Sequence, residues 1–327
     1  MEVYTYPGNR PRLRGPVVTV GTFDGLHLGH QRVIGELLRR ASFQNGPAVV
    51  VTFHPHPQWV VNPSTAPLIL TTKQEKLGLL EQLGVDLCLV VEFTPEFSHW
   101  GPEGFVERFL VGFLRAKEVV VGPSHAFGQG REGKIAYLQR MGRRYGFGVK
   151  VVGRSRYAGS PISSTRIRRT MAQERDFAAA LNMLGHPYPL SGLVVEGDGR
   201  GRRLSYPTAN LSPYFRKLLP PDGVYIVKAR LQGRERIGLM NVGYRPTFGE
   251  GERRLEVYLI GEEGNLYGQE LELMLHRRIR EERAFPHPRD LLAQLAQDEE
   301  LALAYFREPT DKKKKEVEIA FGEEREG

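Results

Sequence analysis

Apolar residues recur along the first 184 positions in two alternating rhythms. Nearly continuous apolar runs at 17–20, 48–53, 87–91, 118–121 and 149–152 read as strands. Patterns of helical spacing lie between them, at 31–41, 72–83, 102–114 and 134–145. Strands that are apolar on both faces need a sheet covered on both sides, so the pattern predicts a doubly wound, Rossmann-like parallel α/β domain. Ligands of such a sheet lie beyond the carboxyl ends of its strands. Leu184-Gly-His-Pro-Tyr-Pro189 breaks the rhythm. Beyond it the chain reads as strands at 191–196, 224–231, 236–242, 255–260 and 270–275, divided by Gly and Pro turns. That is the pattern of a small antiparallel β-barrel, closed by a helix at 289–306. The predicted organisation is an α/β domain at 1–185, a barrel domain at 186–307 and a charged, disordered tail at 308–327.

The first strand runs straight into Gly21-Thr-Phe-Asp-Gly-Leu-His-Leu-Gly-His30, and a helix follows with Val33, Ile34, Leu37 and Leu38 at helical spacing. A glycine-bearing turn at a helix N-terminus is a ready anion site, because free amides and the positive dipole end point at the ligand. The candidate cradle is Gly21, Thr22, Phe23, Asp24 and Gly25. His27 and His30 are three apart and share one face of the first helical turn, within reach of one phosphate. Gly29 between them leaves the backbone open to a ligand. A plainer reading makes Asp24 a helix cap with both histidines in solvent. The His-x-Gly-His spacing directly after a strand favours a nucleotide site.

Two further stretches end strands on the same side. Thr52-Phe-His-Pro-His-Pro57 offers His54 and His56, either as pocket lining or as turn residues; no third ligand at a metal-site spacing accompanies them. Ile162-Ser-Ser-Thr-Arg-Ile-Arg168 places Ser163, Ser164 and Thr165 at a helix start, with Arg166, Arg168 and Arg169 behind them. In the barrel, Gly197, Gly199 and Gly201 precede Arg202, and alternating glycines let amides wrap an anion. Pro207, Thr208 and Asn210 follow on what reads as a rigid turn, with oxygens suited to a Mg²⁺ held mainly by ligand phosphates. Glu256 alternates with Leu255 and Val257 and so points away from them, as an ordinary solvent-facing strand residue also would.

Charge adds one constraint. The chain carries 46 Lys and Arg against 38 Asp and Glu, a net of +8; the last twenty residues hold five basic and seven acidic ones, leaving +10 on the rest. A basic body suits anionic ligands. Nucleic acid is one such class, but the basic residues are dispersed and no aromatic-basic RNA motif appears. The lone Cys88 falls in an apolar strand and allows no intrachain disulfide, which suits a reducing compartment. Positions 1–16 lack an apolar signal core and no run approaches ~18 apolar residues. The expectation is a cytoplasmic protein with no membrane or nucleic-acid partner; a homo-oligomer is left open.

Taken together, the motifs resemble the bacterial bifunctional riboflavin kinase/FMN adenylyltransferase (FAD synthetase) family. The likeness rests on the Gly21–His30 and Ile162–Arg168 stretches, then Tyr206-Pro-Thr-Ala-Asn210, Gly223-Val-Tyr225, Asn241-Val-Gly-Tyr-Arg-Pro-Thr-Phe248, Leu266-Tyr-Gly268 and Arg280-Glu-Glu-Arg-Ala-Phe285. The resemblance implies that the α/β module transfers AMP from ATP to FMN and the barrel phosphorylates riboflavin, with ATP, Mg²⁺ and flavins as ligands. It implies that His27 and His30 contact ATP phosphates and that the Ser163–Arg168 stretch closes on the same triphosphate. Thr208 and Asn210 match Mg²⁺–nucleotide residues, Glu256 matches the kinase base, and Arg280 falls on a flavin-side loop. Ser124 and His125 stand where the family shows Asp or Asn and then an aromatic, in a loop near flavin and nucleotide; Ser205 stands for Gly and Tyr258 for His. Two other readings stay open at this point. One is a nucleotidyltransferase of the same type with a different phosphorylated acceptor and a regulatory barrel; the other is a basic nucleic-acid binder.

Overall fold

The computed structural model describes residues 1–196, 206–244, 253–262 and 264–307. The predicted tail at 308–327 and Gly197, Gly199, Gly201, Arg202 and Ser205 lie outside the described residues, as do positions 245–248 of the Asn241 motif. The chain divides into two compact units, Met1–Ser164 and Thr165–Gly327.

The first unit is built on a six-stranded, all-parallel sheet: β1 (Glu2–Tyr6), β2 (Val17–Val20), β3 (Ala48–His54), β4 (Leu87–Glu92), β5 (Glu118–Val121) and β6 (Gly148–Val151). Their order is β1-β4-β3-β2-β5-β6. The five expected strands are present, and every residue of β2 and β5 is buried, as the apolar runs require. The sixth, β1, pairs alongside β4 from Glu2↔Leu87 to Tyr6↔Val91. It is an edge strand with mostly exposed or half-buried residues, so no apolar run announced it. Order reverses at β2, with β3 on one side and β5 on the other. The carboxyl ends of β2 and β5 therefore open a crevice at the switch point, where open α/β sheets bind ligands.

Helices α1 (Leu28–Phe43), α2 (Lys73–Gln82) and α3 (Ile135–Tyr145) connect these strands. The expected helix over 102–114 is instead a short turn, Pro102–Gly104, followed by the wider π winding of Phe105–Phe113. Its Phe105, Val106, Phe109 and Leu110 still face the core with Val18, Val20, Val49 and Val51. Over two turns the apolar spacing does not distinguish the two windings.

The second unit, from Thr165 on, takes in α4 (Ser164–Ala172) after its first residue and α5 (Phe177–Leu184). Arg175 between them pairs with Asp222 at 2.8 Å, and the Phe177 ring meets Tyr225 edge-on at 4.9 Å. The barrel closes in the order β7-β8-β11-β10-β9-β12, from β7 (Tyr188–Val195), β8 (Thr208–Pro213), β9 (Gly223–Leu231), β10 (Arg234–Tyr244), β11 (Arg253–Leu259) and β12 (Glu270–Arg280). All pairings are antiparallel. Helix α6 (Pro288–Arg307) packs Ala302 against Val224, Ile226 and Leu239 on the outer face.

Two expectations are corrected here. Pro207–Asn210 is not a turn, since Thr208 opens β8 and pairs with Tyr258 of β11. Pro207 precedes this short strand and Pro213 ends it, which disguises it. Arg280 is not on a loop but is the last residue of β12, opposite Val224. Register shifts between Val224 and Tyr225 and between Ile226 and Val227 let the ladder run on past the point where the alternation of Leu271, Leu273 and Leu275 stops.

Candidate active sites

The turn after β2 lies at the switch point. Gly21 still donates to the Val51 carbonyl at 3.0 Å, and the chain then leaves the sheet through two strained residues, Phe23 at φ 47° and Leu26 at φ 39°. Left-handed conformations at non-glycine positions cost about 1–3 kcal/mol each and persist only where surroundings impose them. Asp24 does so here. It is 1% exposed, and its carboxylate accepts from the Leu70 amide at 2.9 Å and the Thr71 amide at 3.0 Å. Thr71 Oγ1 in turn accepts from the Gly25 amide at 3.0 Å. Asp24 therefore latches the turn to the 70–71 segment rather than capping α1.

The cap is His27. Its Nδ1 accepts from the His30 amide at 3.3 Å, and its ring stacks on that of His30 with centroids 3.7 Å apart and planes 14° apart. Phe23 meets His30 edge-on at 5.2 Å. Gly29 has a sharper role than the sequence suggested, because a Cβ there would lie 3.1 Å from the His27 ring. Burial pushes His30 well below the ordinary histidine range, and His27 and Lys76 push it further the same way. His30 Nδ1 is buried with no hydrogen-bond partner among the described residues. This turn thus offers a neutral imidazole with unused polar capacity beside a helix N-terminus whose first amides have no intrahelical acceptor.

Neighbouring strand ends contribute unequally. Ser164, the last residue of the first unit, donates through Oγ to the Asp24 carbonyl at 2.9 Å. Ser163 is exposed, and Thr165 and Arg168 belong to the second unit on α4. Ser124 is exposed in the loop after β5, and the adjoining His125 is pushed down to about 4 by burial and Arg131. His54 ends β3, and its pKa is lowered by burial; His56 caps the short helix Pro57–Val61. Lys76, Thr52 and Thr71, all buried at this turn, were not singled out in the sequence. Lys76 carries the one legible signal, since it shares the inward face of α2 with Leu79 and Leu80.

The barrel assembles a second constellation through register. Glu256 pairs with Asn210 of β8 on one side and with Asn241 of β10 on the other. Residues directly opposite share a sheet face, so these three side chains lie in one row. Ala209, Leu255 and Val257 between them are buried in the barrel, which puts the polar row outside. The Asn241 amide donates to Glu282 at 3.1 Å. Arg280 donates to Asp298 of α6 through Nη2 at 2.7 Å, and Asp298 is 1% exposed. Thr208 lies two residues before Asn210 on the same face, beside Tyr258, which Tyr206 approaches at 5.0 Å between centroids. Thr208 and Asn210 bring the hard oxygen donors that suit Mg²⁺ already carried by phosphates. Among the described residues no trio of His, Cys, Asp or Glu is grouped as an all-protein metal cage.

A Rossmann-like sheet with a phosphate-type turn at its switch point, followed by a closed barrel with a polar row, defines a two-domain nucleotide-using transferase. Comparisons make the class specific. The FAD synthetase family model matches residues 9–166 and the riboflavin kinase family model matches 184–306. The bifunctional riboflavin kinase/FMN adenylyltransferase of Escherichia coli K12 is 38% identical over 89% of this chain and 93% of its own. That of Listeria monocytogenes is 37% identical over 90% and 94%. A crystal structure described as a macrolide-efflux protein from Streptococcus pneumoniae superposes with a TM-score of 0.79 at 29% identity, over 92% of this chain and 99% of the other. The chain belongs to the bifunctional riboflavin kinase/FMN adenylyltransferase family, whose enzymes use ATP and Mg²⁺ with flavin substrates. No helix among the described residues is long and apolar enough to cross a membrane.

Proposed function

We propose that adenylyl transfer takes place at the Gly21–His30 turn and riboflavin phosphorylation at the Asn210–Glu256–Asn241 row. The stacked His27–His30 pair at the sheet's switch point carries the first assignment. There a phosphate oxygen of FMN attacks the α-phosphorus of ATP, the bond to the β-phosphate breaks, and pyrophosphate leaves. The nucleophile is already anionic, so the step needs donors and positive charge around phosphorus more than it needs a base. Gly21, Thr22, Phe23, Asp24, Gly25 and Gly29 shape that cradle, and Ser163 and Ser164 close on the triphosphate. The Ser124 loop contributes to the flavin side.

In the barrel the nucleophile is a ribityl hydroxyl, which must lose a proton as it attacks the γ-phosphorus and ADP departs. Glu256 takes that proton. Thr208 and Asn210 hold the Mg²⁺–nucleotide, Gly197, Gly199, Gly201, Arg202 and Pro207 line its phosphates, and Arg280 braces the flavin side through its pair with Asp298. Bound Mg²⁺ neutralises phosphate charge. The domains are assigned as 1–185 and 186–307, in a cytoplasmic enzyme whose ligands are small molecules. Incubating the purified chain with riboflavin, ATP and Mg²⁺ and separating products by chromatography tests both halves. FMN and FAD should both accumulate; FMN alone would overturn the assignment of the α/β unit.

A further inference from the structure

One buried charge near the turn has no part in the scheme above. Lys76 sits on the first turn of α2 and is only 7% exposed, and its Nζ donates to Thr52 Oγ1 at 3.0 Å. Thr52, 1% exposed two residues before the end of β3, passes the contact on by donating to the Thr22 carbonyl at 3.1 Å. The segment that carries Lys76 also receives Asp24, through the Leu70 and Thr71 amides. A capping box locks the start of α2, with Thr72 accepting from the Glu75 amide at 3.2 Å and Glu75 accepting from the Thr72 amide at 2.8 Å. Phe23, one of the two strained residues, thus lies between two anchors: Thr22 held from β3 and α2, and Asp24 held from 70–71.

Lys76 is buried with the Asp24 carboxylate nearby. Burial lowers its pKa, and the nearby Asp24 carboxylate only partly opposes that. A buried ion pair replaced as a whole by well-packed apolar residues is often neutral or stabilising, whereas removing one partner alone is costly.

We propose that Lys76 is a positioning residue for adenylyl transfer: acting through Thr52 on the Thr22 carbonyl, it sets the strained turn that aims His27 and His30 at the phosphates. This rests on the reading of the α/β unit as the FMN adenylyltransferase. Displacing a reacting group by about 1 Å costs up to about 100-fold in rate, so the loss of such a strut should appear mainly in kcat.

The test compares Lys76→Met, Thr52→Val and Thr52→Ser in the full-length enzyme, assaying FMN adenylylation and riboflavin phosphorylation separately. Lys76→Met and Thr52→Val should each lower the adenylylation kcat by about 10- to 100-fold, with KM for FMN changed less than about threefold. Thr52→Ser, which keeps the hydroxyl, should recover most of the rate. The double variant Lys76→Met/Thr52→Val should be little worse than either single variant, because both interrupt one chain of contacts. The kinase rate should stay near wild type, while the melting temperature should fall in Lys76→Met and Thr52→Val, since each leaves a buried polar partner unpaired. Adenylylation at the wild-type rate in Lys76→Met or Thr52→Val overturns the proposal, as does an equal loss in Thr52→Ser and Thr52→Val. If Lys76→Met does not fold, the two Thr52 variants decide. A wild-type enzyme that makes no FAD from FMN and ATP would instead sink the underlying assignment.

Discussion

The imidazoles of His27 and His30 stack face to face at 3.7 Å, one capping the helix whose first turn carries the other. Two positive rings at that distance would repel strongly; burial, with His27 and Lys76, holds His30 well below the ordinary histidine range, so His30 stays neutral. It then acts as a hydrogen-bonding group rather than a fixed charge. Replacing either ring by Ala should cost the adenylyl step about 2–4 kcal/mol of transition-state stabilisation. Riboflavin phosphorylation by the same chain should be unchanged, and product chromatography with supplied FMN reads the difference.

Gly29→Ala tests the stack without replacing either ring. The new Cβ would meet the His27 imidazole at 3.1 Å and turn it aside. Alanine is the better helix former by about 1 kcal/mol, which offsets part of the strain in stability. The expected outcome is a near-normal melting temperature with FAD formation reduced at least about tenfold, measured by steady-state kinetics.

In the barrel, Glu256→Gln keeps size and hydrogen bonding while removing the proton acceptor. FMN formation should fall by about 10²–10⁴-fold. Adenylylation of supplied FMN should continue. A kinase rate within a few-fold of wild type would assign the base to another group.

Acid should weaken the α/β unit through histidines held neutral. Burial takes His125 down to about 4, from an unfolded value of about 6.5. Between these values the unfolded chain binds a proton that the folded chain refuses, so this contribution is complete above about pH 6.5 and is lost as pH falls toward 4. His125→Asn should therefore flatten the fall in melting temperature between those pH values, as followed by circular dichroism.

Much of the architecture was legible because both domains repeat short-range patterns. Continuous apolar runs marked the central strands, and alternation around Glu256 put it opposite Leu255 and Val257. The histidine pair was legible from spacing, since three residues make one helical turn. What escaped notice shared one property: its meaning depended on a partner far along the chain. The edge strand Glu2–Tyr6 is defined by pairing with Leu87–Val91, and Thr208–Pro213 by its ladder to β7 and β11. Arg280, put on a loop by the resemblance alone, is a strand residue once Val224 and Asp298 are placed beside it.

Local order along the chain was enough to establish the kinds of element, the change from α/β to barrel, and the residues able to meet phosphate. Those properties follow from side-chain periodicity and from chemistry carried within a few residues. Folding supplied the relationships: Asp24 turned inward to the 70–71 segment, Lys76 buried against Thr52, and Asn210, Glu256 and Asn241 drawn into one row. Each depends on packing and strand register between distant segments, and one residue of slip would send every side chain in such a row to the opposite face.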